Sequence, residues 1–171
     1  MLRICWIFFI LLTAYLCDIF IVTGVMQVFL SAVAVFYLTV QTDARLLIPF
    51  ACLTGLALDV NFLGNSYFYI FLLPTAPVFT AKYWQRQGDC SNLLMQLLPV
   101  SFLALIFSVA RIAGSGINID GLNQILFILI YSVLSIVLTS TLGILFIATA
   151  DELAEKFGFP QFSNILTKLR G

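Results

Sequence analysis

The sequence predicts an all-α integral membrane protein, a bundle of six transmembrane helices with both ends on the cytoplasmic side. Three observations carry this reading. First, 62% of the 171 residues are hydrophobic and only 9% are charged, with a mean hydropathy of +1.10. Ordinary soluble domains carry about 25% charge, and no water-soluble core of this size hides so much apolar surface. Second, the apolar residues gather into runs near the ~20 residues a helix needs to cross a bilayer, separated by short polar knots. Third, threading six spans from a cytoplasmic start puts Arg3, Arg45, Lys82, Arg86, Lys156, Lys168 and Arg170 inside and only Arg111 outside. That asymmetry matches the excess of basic residues in cytoplasmic loops. Five or seven spans scatter it.

The elements follow in order. The opening run, MLRICWIFFILLTAYLCDIF, has the basic start and apolar stretch of a signal peptide. No small-residue cleavage site follows, so it is read as an uncleaved first span at about 4–22. The apolar pattern continues to Val40, too far for one helix, and Thr23-Gly24 is the turn that divides it. Span 2 is then about 25–40, followed by the polar knot QTDAR. Span 3 covers about 46–60, and span 4 about 66–84 with Pro74 and Pro77 inside it. Asn61, Asn65 and Ser66 read as the turn and N-cap before span 4. The loop QRQGDCSN leads to span 5 at about 93–111, and IAGSGINIDG leads to span 6 at about 122–149. Residues 1–150 are thus expected to form the bundle and 151–171 a cytoplasmic tail, with no second domain and no internal repeat in evidence.

The tail carries its own pattern. Phe162, Ile165, Leu166 and Leu169 fall at i, i+3, i+4 and i+7, flanked by Lys168 and Arg170. This predicts a short amphipathic helix lying on the inner leaflet, or docked on a partner helix.

Composition excludes several functions. The net charge is zero, from eight basic and eight acidic residues, so nothing points to nucleic acid. There is no histidine, which removes the commonest general base and metal ligand. The four cysteines, Cys5, Cys17, Cys52 and Cys90, are isolated and read as inert thiols rather than a metal or disulfide framework. No serine, cysteine or lysine stands beside a credible base, so covalent catalysis has no support. The G-x-G-D pattern of intramembrane aspartyl proteases is absent, since Gly55-Leu56-Ala57-Leu58 precedes Asp59. The expectation is a protein that is not an enzyme and needs no cofactor.

Two carboxylates nevertheless stand inside apolar runs. Asp18 lies in span 1 and Asp59 closes span 3, both toward the outer ends, at a depth similar to Arg111. Intramembrane charges pair with one another or face a cavity. The C-terminal end of a helix also repels an aspartate. Arg111 is therefore expected to pair with Asp59 or Asp18 and tie spans 1, 3 and 5 together; the alternative is that Asp59 simply reaches the outer interface. Ala51, Gly55 and Asp59 share one face of span 3, as Ser135, Thr139 and Gly143 do on span 6. Small residues at this spacing let helices approach closely, within the bundle or across a dimer. Pro74, Pro77 and Pro99 free backbone carbonyls and favour kinks.

The stretch TGLALDVNFLGNS completes the pattern. A span ending G-x-x-x-D, a short turn, then L-G, here Gly55, Asp59, Leu63 and Gly64, resembles the rod shape-determining protein MreD family. The turn here is shorter than the family's usual one, and Phe62 stands where a proline is often found. Length, six-span plan and orientation fit across nearly the whole chain. The resemblance implies a non-enzymatic scaffold of the bacterial inner membrane, acting in lateral cell-wall synthesis. Its implied partners, besides membrane lipids, are MreC, the actin-like MreB and the wall-synthesising polymerase and transpeptidase. The family's fold is similar to that of the substrate-binding membrane subunits of energy-coupling-factor vitamin transporters, which gives the alternative function. Those subunits carry an A-x-x-x-A pair on the first helix, whereas Arg3–Thr13 here contains no alanine. A vitamin binder also needs an enclosed cavity of roughly 300 Å³ or more with convergent polar groups.

Overall fold

The computed structural model describes residues 2–21, 27–63, 67–87, 93–114, 121–160 and 162. Among these residues the chain is helical and contains no strand. Six α-helices follow one another there: α1 (Leu2–Phe20), α2 (Leu30–Gln41), α3 (Ala44–Leu58), α4 (Tyr69–Gln87), α5 (Leu93–Gly114) and α6 (Leu122–Lys156). A π-helical turn, Asp59–Leu63, extends α3. Successive helices reverse direction. One end of the bundle holds Asp18 and Asp59, and the other holds Gln41 and Asp151.

The outer helices have the length and the apolar surface of membrane spans. α1, α3 with its π-turn, α5 and α6 are each long and apolar enough to cross a membrane. Their large side chains do not point inward only: Phe20 is 81% exposed, and Phe71 and Phe79 on α4 are exposed too. Side chains of that kind are stable in contact with lipid rather than water. α1 buries the stripe Trp6, Ile7, Ile10, Leu11, Ala14 and Asp18, spaced at three and four residues, and leaves the opposite face apolar.

α2 is the centre. It has only 12 residues, yet everything from Leu30 to Leu38 is buried, and it touches each of the other five helices. A helix enclosed by protein needs neither the length nor the one-sided pattern of a lipid-facing span. Its lead-in, Gln27–Phe29, is non-helical and also buried. The expected second span began earlier, at about residue 25. The Thr23-Gly24 turn lies outside the described residues.

The closest approach of α3 to α4 depends on Gly55. A Cβ there would lie 2.4 Å from the Tyr69 carbonyl oxygen, so only glycine lets the two backbones meet. On α6, Ser135, Thr139, Gly143, Ile147, Ala150 and Ala154 form the buried stripe. A Cβ at Gly143 would meet Val100 of α5 and Val33 of α2, so this small-residue stripe packs inside the bundle.

α6 does not stop at the bundle edge. It is the longest element, with 35 residues. At a rise of about 1.5 Å per residue, a helix of that length runs roughly 50 Å, well beyond a hydrocarbon core of about 30 Å. It continues through Asp151, where the sequence suggested a boundary, and ends at Lys156. There Gly158 takes a left-handed φ of 72°. The Gly158 N–H donates to the Glu155 carbonyl and the Phe159 N–H to the Ala154 carbonyl, the paired bonds of a Schellman-like ending. The chain thereby turns back beneath α1 and α2.

Candidate functional site

The two buried aspartates perform the same task. Asp59, at the end of α3, accepts from the N–H groups of Tyr69 (2.8 Å) and Ile70 (2.8 Å), the start of α4. Asp18, near the end of α1, accepts from Leu30 (2.6 Å) and Ser31 (2.9 Å), the start of α2. Each carboxylate thus bridges the C-terminal end of one helix to the N-terminal end of the next. The first N–H groups of a helix have no partner within it, and the helix dipole makes that end positive. A buried anion placed there meets two donors and a favourable field. The dipole of its own helix disfavours the aspartate, and the neighbouring helix answers it.

The likeness extends into sequence. Phe9-x-x-Leu12-Thr13-Ala14-x-x-x-Asp18-Ile19 matches Phe50-x-x-Leu53-Thr54-Gly55-x-x-x-Asp59-Val60 at a constant offset. Thr13 and Thr54 donate their hydroxyls to the Phe9 and Phe50 carbonyls respectively. Ala14 and Gly55, one turn before each aspartate, are both buried. The α1–α2 and α3–α4 hairpins are therefore closed by the same kind of aspartate clasp, set in similar stretches of α1 and α3. The signal is six identical or similar residues spread over eleven, too sparse to register until the two buried aspartates anchor the comparison.

Arg111 joins this end of the bundle through an aromatic residue. Both carboxylates are engaged by backbone N–H groups, and Arg111 comes within charge-interaction range of the Tyr69 phenol. Asp18 and Asp59 lie within range of that same phenol. Tyr69, a residue sequence reasoning passed over, thus lies within electrostatic range of all three of the charges picked from sequence. Tyr69 stacks on Phe107 (5.7 Å), and both rings pack on Phe29.

The rest of the Asp59 turn departs from the expected capping. Asn61 lies in the π-turn, its amide donating to the Tyr15 hydroxyl and the Ala57 carbonyl. The cap of α4 is Asp59 itself. Gly64, Asn65 and Ser66 lie outside the described residues, as does the Leu63 side chain. Ala51, Gly55 and Asp59 are all buried on one side of α3.

The opposite end of the bundle holds a network the sequence did not suggest. Asp151 Oδ1 accepts from the Tyr37 hydroxyl (3.0 Å) and the Phe162 N–H (2.8 Å). The Gln41 amide donates to the Tyr37 oxygen and the Pro160 carbonyl, and accepts from the Trp6 indole. Trp6 stacks on Phe159 at 5.0 Å. Phe162 is 1% exposed, enclosed by Phe36 and Tyr37. Asp151 is a third aspartate that reaches from near a helix end to the N–H of a following segment. Phe162, expected on the apolar stripe of a tail helix lying on the inner leaflet or docked on a partner helix, is a core residue of this chain. Ile165, Leu166 and Leu169 lie outside the described residues.

Chemically, both clasps bind backbone N–H groups. Cys5, Cys17 and Cys52 are free thiols, and no group of three metal-ligating side chains forms among the described residues. Among the described residues, grooves of about 470, 230 and 250 Å³ open on the surface and are lined almost wholly by apolar side chains. Comparison with known proteins gives no family model that matches the chain, and no match among curated proteins or solved structures.

Proposed function

We propose that the protein is a non-enzymatic scaffold of the bacterial inner membrane, similar to MreD, which holds together the machinery of lateral cell-wall synthesis. The observation that carries this reading is the use made of Gly55 and Asp59. These two residues of the resemblance serve helix-to-helix architecture: one permits backbone contact with Tyr69, the other clasps α4. A motif of that kind shapes a rigid platform and leaves the outer faces for partners.

On this reading the chain crosses the membrane six times with both ends in the cytoplasm. The short α2 crosses inside the ring of the others, and α4 crosses despite Lys82 and Gln85 near its end. Arg3, Arg45, Lys82 and Lys156 stand at the Asp151 end, with Arg111 at the opposite end, which supports placing the Asp151 end inside. The partners are then MreC, MreB and the wall-synthesising polymerase and transpeptidase.

The test is affinity purification of the tagged protein from its native membrane in mild detergent, with mass spectrometry of what accompanies it. Recovery of MreC and the wall-synthesis enzymes is expected. Recovery of an ATPase pair with a coupling subunit would replace the scaffold with a transporter.

A further inference from the structure

The Asp59 half of the bundle contains polar groups that no described residue satisfies. The Gln27 side chain is 1% exposed, and neither its amide nitrogen nor its oxygen bonds any protein group. The Tyr69 hydroxyl and the Ser108 hydroxyl are likewise buried and unbonded. They come from three separate elements, and the packing draws those elements together. Ser135 donates to the Gln27 carbonyl and Thr139 Oγ1 accepts from the Phe29 N–H, which fixes the 27–29 segment against α6. The Phe29 ring packs on Tyr69 (6.3 Å) and on Phe107 (5.6 Å), next to Ser108.

Two physical rules bear on this cluster. Buried side-chain polar groups are bonded in the great majority of cases, to protein or to ordered water. Non-helical backbone within a membrane persists only where protein covers it or where it faces water. The Gln27–Phe29 lead-in is such backbone, and the open groups beside it are an amide donor, an amide acceptor and two hydroxyls. That is the donor and acceptor mixture that suits water, which needs two to four polar partners. None of the open groups is itself charged.

We infer that the Asp59 half of the bundle holds an internal site for ordered water, bonded to the side chains of Gln27, Tyr69 and Ser108. The water joins the lead-in of α2 to α4 and α5, where side chains alone leave the contact unmade. The site is separate from the two aspartate clasps, whose carboxylates are already engaged by backbone donors.

Thermal melting in detergent separates a wet site from a dry one by sign. In a wet site Gln27→Leu, Tyr69→Phe and Ser108→Ala each strip a partner from retained water, and each lowers Tm by about 2–4 °C. In a dry site the same changes remove an unmet polar group and raise Tm, which would overturn the inference. Because Gln27→Leu also changes the shape of a packed segment, the deciding measurement is hydroxyl-radical footprinting of the unaltered protein. Radiolysis of bound water should oxidise Tyr69 well above Tyr37 and Phe107 well above Phe36, residues of the same type that are equally buried. Equal, background-level oxidation within both pairs would refute the water site whatever the melting shows.

Discussion

The α-carbon of Gly55 rests against the backbone carbonyl of Tyr69, with no room for a side chain between α3 and α4. One turn later Asp59 takes the Tyr69 N–H. Close approach and clasp act on the same partner residue, so the first helical residue of α4 is packed at its carbonyl and bonded at its N–H.

Gly55→Ala should therefore force the hairpin apart. The added methyl meets backbone, which cannot rotate away, and overpacking of this kind costs about 1–3 kcal/mol. Thermal melting in detergent should show a clear fall. Gly121→Ala, with nothing within 4 Å of its Cβ, serves as the control and should leave Tm unchanged.

Removing the Asp59 carboxylate should cost more than altering it. Asp59→Ala leaves the Tyr69 and Ile70 N–H groups buried and unmet, a loss of about 2–4 kcal/mol. Asp59→Asn keeps one acceptor oxygen and should cost roughly half as much. Equal melting temperatures for the wild type and both variants would show that the clasp contributes nothing.

Asp18 and Asp59 should behave as independent copies. They clasp different helix pairs and share no bonded partner. The stability losses of the two alanine variants should then add to within about 0.5 kcal/mol, as they do for sites without shared contacts. A double variant much more stable than the sum would mean that the two clasps are energetically coupled.

The third aspartate is tested by proteolysis. Asp151→Ala removes the acceptor for both Tyr37 and Phe162, and should free the Phe157–Phe162 turn from the bundle. Chymotrypsin should then cut after Phe157 roughly ten- to a hundredfold faster, in line with the loss of two charge-assisted bonds. Phe162→Ala should give the same faster cut after Phe157 with Asp151 intact, because the Phe162 ring fills the space between Phe36 and Tyr37. Unchanged cleavage in both variants would mean that the turn is not held by this latch.

Much of the candidate site was legible from residue types. An aspartate in an apolar run must be satisfied, and a glycine one turn before it marks a close approach; both hold for Asp59 and Gly55. The identity of the partner was not legible. An N–H at a helix start is a property nearly every residue shares, so nothing in the letters Tyr69, Ile70, Leu30 or Ser31 marks them as donors to a carboxylate ten or more positions earlier. Charge is written in the sequence and backbone polarity is not, so Arg111 stands out to the eye and these N–H groups do not.

The sequence by itself determined that the chain is helical, that it carries more apolar surface than water tolerates, and where most of the helices lie. Those properties depend on local composition and period. Only the tertiary structure decided that α2 sits at the centre, that Phe162 is core rather than surface, and that three aspartates each reach across to a following segment. These depend on which helix faces which. That is set by the packing of small residues such as Gly55 and Gly143, and by backbone groups whose pairing appears only once the helices meet.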